Sequence, residues 1–232
     1  MDNQSPKDLI PYFFGNTAKT YDKIVFWTTF GKDNHWKNEI MNKVHSPNSI
    51  LDLACGTGIL TRKLAKKFPE SSIVGVDISK DYIAVAEKNS FQFSNISFYH
   101  QDADNLNLDS KFDCICSSYI PKYCNVEKLA KNCIDHLNPG GKIILHDFTY
   151  PTNSLIQILW NSYFVLLNFL GIFLRSWKYA FVQLPKLIQS SNWVKSYKQV
   201  FEQNGFKVNI QHLTWNTSVI LSAEKFSSYE IK

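Results

Sequence analysis

Two glycines and two aspartates carry the chemistry that this sequence states most openly. Ile50-Leu51-Asp52-Leu53-Ala54 is a short apolar run holding one acid, and Cys55-Gly56-Thr57-Gly58 turns it into a helical pattern. A strand that runs into such a turn aims backbone N–H groups and a helix N-terminus at a ligand. A second strand pattern, Ser72-Ile73-Val74-Gly75-Val76, ends in Asp77, nineteen residues past Gly58. An acid at that spacing accepts hydrogen bonds from ribose hydroxyls. Together these residues predict a nucleoside-containing ligand. Glycines that serve turn geometry alone are the competing explanation.

Two details select among such ligands. The third position of a G-x-G-x-x-G fingerprint is Thr61 here, so the loop is poorly suited to a pyrophosphate. No G-K-[ST] follows, which excludes a P-loop. Asp52 lies inside the strand, ahead of the glycines. An anion there repels phosphate and favours an amino group or a cation. S-adenosylmethionine carries an ammonium and a sulfonium and no phosphate. The segment resembles the first motif of class I S-adenosylmethionine-dependent methyltransferases.

The elements that must position these residues alternate along the chain. A helical extension is expected over about residues 7–45. Strand 50–54, helix 58–68, strand 72–77, helix 80–89 and strands 96–101 and 112–118 follow. Helix 126–137, strand 142–147, a long apolar helix over about 153–174 and a helix over 191–204 come next, and strands 206–212 and 217–224 close the chain. This order predicts an α/β fold with a mostly parallel sheet covered on both faces. The resemblance implies a Rossmann-like class I methyltransferase fold, seven-stranded with the last strand antiparallel. His136-Leu137-Asn138-Pro139-Gly140-Gly141-Lys142 is similar to the family's Leu-x-Pro-Gly-Gly turn before strand five. One domain over 1–232 is expected, with 1–45 as a helical cap and 150–200 as a helical insertion over the substrate site.

Size and composition agree. A chain of 232 residues, 44% hydrophobic, buries a sizeable core. Met1 to Lys7 is polar, and the apolar run Leu9 to Phe14 is too short for a signal peptide. The odd set Cys55, Cys114, Cys116, Cys124 and Cys133 reads as reduced thiols of a cytoplasmic protein. Cys114 and Cys116 share one strand face and are expected to pack in the core. Neither they nor any other constellation predicts a metal site. The net charge of +5 is concentrated. Between Phe148 and Phe201 there is no acid, while Arg175, Lys178, Lys186, Lys195 and Lys198 lie there.

In an open parallel sheet the ligand sits beyond the carboxyl ends of the strands. Gln101-Asp102-Ala103-Asp104 ends strand three. Asp102 has the chemistry to accept from an adenine amino group, and Ala103 leaves room for the ring. Asp102 and Asp104 would serve equally as solvated or turn-capping acids. The resemblance implies Asp52, Ala54, Gly56, Gly58, Thr61, Asp77, Ile78, Asp102, Ala103 and Ser118 as cofactor contacts.

Both ends of the chain narrow the acceptor. Tyr21-Asp22 and Gly31 to Trp36-Lys37 resemble the N-terminal segment of the ubiquinone/menaquinone biosynthesis C-methyltransferase family. His146-Asp147-Phe148-Thr149-Tyr150-Pro151-Thr152-Asn153 is similar to that family's Glu-Phe-Ser-Lys-Pro-Thr-Asn. After strand four the family carries Phe-Gly-Leu-Arg-Asn, where this chain has Tyr119-Ile120-Pro121-Lys122-Tyr123. Arg and Lys are not interchangeable in recognition, so the acceptor is open between a demethylmenaquinol-like prenylated quinol and a small molecule methylated on O or N. Tyr21, Lys122 and Tyr123 are the candidate acceptor contacts.

From Leu155 to Leu174, fifteen of twenty residues are hydrophobic, with Gln157, Asn161 and Asn168 on one stripe. This helix fits burial in the core, the wall of a greasy pocket, or a membrane span, which its Asn, Gln and Gly residues oppose. The acid-free basic flank also suits a helix lying on an anionic membrane surface. No nucleic acid partner is expected, because no Asn/Asp-Pro-Pro-Tyr/Phe motif follows strand four. A homodimer is compatible with the sequence and not required by it.

Methyl transfer from a sulfonium needs donor and acceptor held in line and water excluded. The faces of Tyr21, Tyr119 and Tyr123 attract a sulfonium or simply pack. Methylation of a hydroquinone carbon also needs a base within hydrogen-bond reach. His146, Asp147 and Tyr119 are the candidate catalytic residues, since they end strands five and four. His35 is a second histidine candidate, and a packing role for each stays open.

Overall fold

Side chains of β1 (Ser49–Leu53) alternate between two buried faces, and this alternation sets the layers around it. Ile50 joins Cys114, Cys116 and Ile144 under Trp36, Ile40, Leu60 and Leu64. Leu51 and Leu53 join Ile115, Leu129, Tyr197 and Phe201 on the other side. The computed structural model describes residues 6–225; residues 1–5 and 226–232, the ends of the expected domain, lie outside the described residues.

The N-terminal segment forms α1 (Ile10–Phe14), α2 (Tyr21–Thr28) and α3 (Lys32–Asn42). Burial of Trp36 and Ile40 docks α3 on the sheet, at ~1.5–3 kcal/mol for each large apolar side chain. The Trp36 indole N–H donates to Thr214 Oγ1 at 2.8 Å. Next come α4 (Ile59–Lys67), β2 (Ser72–Asp77), α5 (Lys80–Asn89), β3 (Ile96–His100), β4 (Phe112–Ser118), α6 (Val126–Asp135) and β5 (Leu137–Phe148). Helices α7 (Ser154–Leu170), α8 (Lys178–Ser190) and α9 (Trp193–Gln203) precede β6 (Phe206–Leu213) and β7 (Ser218–Lys225).

The seven strands lie in the order β3-β2-β1-β4-β5-β7-β6. All neighbours run parallel except β7, which is antiparallel to β5 and β6. From β1 the chain moves outward through β2 and β3, then returns to β4 on the other side of β1. That reversal opens a crevice at the carboxyl ends of β1 and β4, where Leu53 pairs with Ser117.

Three departures from the sequence expectation have local causes. The apolar helix stops at Leu170, and a second helix, α8, which the sequence pattern does not separate, follows within the expected helical insertion. Pro185 lies inside α8; proline lacks the N–H that a helix interior uses and so reads as a breaker. The strand expected from residue 142 begins at Leu137 and carries Pro139-Gly140-Gly141 within it. Gly140 has φ +77°, and the register to β4 shifts between Phe112 and Cys114.

Helix α7 is apolar toward both the protein and the solvent. Trp160 and Leu167 are buried, with Tyr163 and Phe164 packed beside Leu167. Gln157 donates to the Pro151 carbonyl, and the exposed Asn161 bonds Tyr150 and Gln189. Leu155, Ile158, Leu159, Val165, Leu166 and Phe169 are exposed.

Candidate active site

The glycine loop closes on backbone conformations that few residues adopt. Ala54, Gly56 and Gly58 have φ of +52°, +57° and +79°, in the left-handed region that penalises a Cβ. Gly56 N–H donates to Asp77 Oδ2 at 2.8 Å, and Ser79 N–H donates to Oδ1 at 2.9 Å. Asp77 thus holds the loop and the start of α5 together, with lone pairs left on both oxygens. Burial pushes its carboxyl up, and the two amides oppose that. Asp52 is 1% exposed. Burial raises its pKa to about 7, opposed by the hydrogen bond from Thr61 and by the charge of Lys37. Thr57 Oγ1 donates to Asp22 at 2.5 Å, tying α2 to the loop.

Three connected hollows meet at this point. The first is lined by Ala54, Gly56, Asp77, Ile78, Asp102, Ala103 and Ser118, together with Phe14, Tyr21, Tyr82, Tyr119 and Tyr123. The Lys7 ammonium reaches into its rim, 2.5 and 2.6 Å from the Asp102 oxygens and 2.9 Å from Asp104. The second is an apolar cavity of about 600 Å³, walled by Phe13, Phe14, Tyr21, Tyr119, Lys122, Tyr123, Phe148 and side chains of α7 and α8. A small third recess joins Asp52, Gly56, Ser118, Tyr21, Lys37 and Tyr119. Tyr21 and Tyr119 line all three.

The expected contacts divide by position. Asp52, Ala54, Gly56, Asp77, Ile78, Asp102, Ala103, Ser118, Tyr21, Tyr119, Lys122 and Tyr123 line these hollows. Gly58 and Thr61 line none of them; Gly58 shapes the turn, and Thr61 is fully buried with its hydroxyl on Asp52. His146 and Asp147, expected as bases facing the acceptor, stand behind the wall with no exposed surface. His146 is held between Ser118 Oγ (2.9 Å from Nδ1) and Ser218 Oγ (2.6 Å from Nε2). Burial and the charges of Lys37 and Lys122 push its pKa well below the usual value, so it is neutral. Asp147 accepts from the Lys122 ammonium at 2.5 Å and from the Lys122 N–H at 3.2 Å. His35 is exposed on α3.

The site also contains residues that sequence reasoning left without a role. Lys7, Phe14 and Tyr82 line the first hollow, and Asp33 and Lys37 approach Tyr119 from α3. Lys37 had one signal, its place after Trp36. Asp33 and Lys7 had none, since their partners lie 86 and 95 residues away. No cluster of His, Cys, Asp and Glu able to hold a metal occurs among the described residues.

Residues 50–141, the stretch that builds this loop and its neighbouring strands, match the family described as Methyltransferase domain. A demethylmenaquinone methyltransferase of Lactobacillus johnsonii is 29% identical over 220 residues, which cover 89% of this chain and 88% of that protein. Its counterpart in Thermus thermophilus is 26% identical over 214 residues, 89% of this chain and 97% of that protein. This chain is an S-adenosylmethionine-dependent methyltransferase. The methyltransferase shares its fold with solved structures. One is the N-methyltransferase NodS of Bradyrhizobium japonicum with S-adenosyl-L-homocysteine (TM-score 0.57, 13% identity, 85% of this chain and 88% of that one). Another is the geranyl diphosphate C-methyltransferase of Streptomyces coelicolor (TM-score 0.62, 12% identity, 84% and 79%).

The donor set fits this cofactor. The first hollow presents carboxylates, a glycine cradle and aromatic faces, and the one cation lining it among the described residues, Lys7, is already engaged by Asp102 and Asp104. Such a lining suits a nucleoside with a positive charge and no phosphate. Gly56 is required by its φ of +57°, not by space, since a Cβ there would make only ordinary contact with the Tyr82 ring at 3.6 Å.

Proposed function

We propose that the methyltransferase methylates a ring carbon of a prenylated quinol of the demethylmenaquinol type. The observation that carries this reading is the apolar cavity of about 600 Å³ beside the nucleoside hollow, with Phe14, Tyr21, Tyr119 and Tyr123 shared between the two. A quinol head at the shared aromatic wall leaves its tail the apolar space under α7 and α8. The names of the relatives in Lactobacillus johnsonii and Thermus thermophilus point the same way.

In this reading Asp77 holds the ribose hydroxyls, Ile78 and Ala103 sandwich the adenine, and Asp102 takes its amino group. Asp52 and the loop amides face the methionine end. S-adenosylmethionine supplies an activated methyl group on a sulfonium. The faces of Tyr21 and Tyr119 stabilise positive charge there, and the aromatic wall limits the water around the methyl group. Lys122, paired with Asp147 and bonded to the Tyr119 carbonyl, holds the wall of the apolar cavity beside the quinol head.

The acceptor also explains the outer surface. A prenylated quinol resides in a membrane, and the exposed apolar face of α7 lies over the cavity beside exposed Arg175 and Lys178. This face rests on an anionic membrane surface as an interfacial helix. Among the described residues no helix is long and apolar enough to cross a membrane.

The test uses S-adenosylmethionine with a labelled methyl group and a lipid extract containing reduced, demethylated quinones. Label is expected in a quinone band and absent with Asp52→Ala. Cofactor binding without label in the organic phase would move the assignment to soluble acceptors methylated on O or N.

A further inference from the structure

Tyr119 occupies an unusual place for a non-glycine residue. It follows β4 with φ +78°, a conformation that costs energy and is kept where surrounding contacts demand it. Those contacts are explicit. Its N–H donates to the His146 carbonyl at 2.7 Å, and its ring stacks on Phe148, centroids 4.9 Å apart. Its hydroxyl donates to Asp33 Oδ1 at 2.7 Å. Asp33 is ion-paired in turn with Lys37, one helical turn along α3. Asp33 and Lys37 are 6% and 4% exposed, and the Lys37 ammonium stands 4.8 Å from the centre of the Tyr119 ring. A buried carboxylate, a cation and a phenol therefore form one chain. It ends at a residue that lines both the nucleoside hollow and the apolar cavity.

We propose that Tyr119 and Asp33 form a proton relay that takes the hydroxyl proton of a phenolic acceptor, with Lys37 holding Asp33 in place. This rests on the reading of the acceptor as a quinol, and it extends to any acceptor with a ring hydroxyl. The acceptor hydroxyl gives its proton to the Tyr119 oxygen as the Tyr119 proton passes to Asp33. The electron-rich ring carbon then forms its bond to the methyl group. The sulfur–methyl bond breaks and leaves its electron pair on sulfur. The hydrogen on the methylated carbon leaves as a proton to water, and the relay returns its proton to the ring oxygen. One proton is released in all, and no oxidant or reductant is required.

The other titratable groups near Tyr119 do not replace this route. His146 is 5.2 Å away, ring to ring, with both nitrogens occupied behind the wall. Lys122 points its ammonium at Asp147 and at the Tyr119 carbonyl. Burial pushes the phenols of Tyr21 and Tyr119 up alike, but among the described residues only the Tyr119 hydroxyl donates to a carboxylate, Asp33.

The experiment uses the full chain and the Tyr119→Phe variant, which keeps the ring stack and the Asp33–Lys37 pair. With a demethylated quinol, kcat is expected to fall about 100-fold, while calorimetric affinity for S-adenosylhomocysteine is unchanged. The deficit is expected to shrink as ring fluorination makes the acceptor hydroxyl more acidic, which a merely structural role for Tyr119 would not produce. Asp33→Asn is expected to repeat the pattern. A second readout needs no methyl transfer. An alkylated 4-nitrophenol bound in the cavity is expected to ionise at a pH at least one unit lower in the wild type than in Tyr119→Phe, by its visible absorbance. Methylation of the quinol with a Tyr119→Phe deficit under threefold, or one equal for all acceptors, overturns the relay and leaves the acceptor assignment standing. A Tyr119-dependent shift of the nitrophenol with no transfer to any quinol does the reverse.

Discussion

Thr61 donates its hydroxyl to Asp52 at 2.6 Å inside the wall of the glycine loop, with Thr61 fully buried and Asp52 1% exposed. The bond lowers the cost of a charge that burial otherwise opposes, and the carboxyl still rests at about 7. An unfolded aspartate titrates near ~3.9. Between those values the folded state holds the extra proton, so this group's contribution is complete below about 4 and is lost as pH rises through about 7. Asp52→Asn is expected to flatten the fall in stability over that interval and to raise stability at pH 8, while weakening cofactor binding. Urea unfolding at a series of pH values checks this. An unchanged slope from pH 4 to pH 7 would show that Asp52 does not titrate there.

Asp77 supports two backbone amides and faces the nucleoside hollow. Asp77→Ala removes both of these acceptors and the proposed ribose contact. Charge-assisted hydrogen bonds contribute ~1.5–3 kcal/mol each, so affinity for S-adenosylhomocysteine should fall at least tenfold by calorimetry. A change under threefold would remove Asp77 from the binding set.

Lys7 joins the N-terminal segment to the loop after β3 through Asp102 and Asp104. The lysine is about one-quarter exposed, so the pairs contribute little to stability, ~1 kcal/mol or less. Their position matters more than their strength, since they stand at the rim of the nucleoside hollow. Lys7→Ala is expected to speed dissociation of S-adenosylhomocysteine severalfold, with a melting temperature within a few degrees of wild type. Raising the salt concentration should reproduce the effect in wild type and add nothing in the variant. Equal dissociation rates in stopped-flow would leave Lys7 without a part in cofactor retention.

The parts of this molecule that local pattern controls were readable. Alternation of Ile50, Leu51 and Leu53 gave a two-faced central strand, and the glycines before α4 gave the loop whose amide meets Asp77. Contacts between distant segments were not readable. Nothing near Asp33 signals Tyr119, and nothing near Lys7 signals Asp102. His146 is the opposite case: its type and strand-end position suit a base or a packing role, and only the fold shows Ser118 and Ser218 holding both ring nitrogens. Helix α8 was not legible as an element of its own, since Pro185 reads as a breaker. Helix α7 was legible as a long apolar helix, but which of its side chains meet solvent depends on α8 and the Tyr150 loop.

That outward apolar face leads to the last prediction. Val165, Leu166, Phe169 and Phe173 are each more than half exposed, and a soluble surface rarely gathers so many large apolar groups without a partner. If α7 rests on a membrane, Leu166→Glu with Phe169→Glu should abolish co-sedimentation with vesicles containing anionic lipid. Cofactor affinity should stay unchanged, because neither residue lines the nucleoside hollow. Binding by the wild type should weaken with salt, owing to Arg175 and Lys178, but persist in part through the apolar contact. Activity toward a quinol in vesicles should fall with binding, while activity toward a short-tailed quinol in solution should not. Equal binding by wild type and variant would show that α7 is not the membrane contact and that its apolar face has another partner.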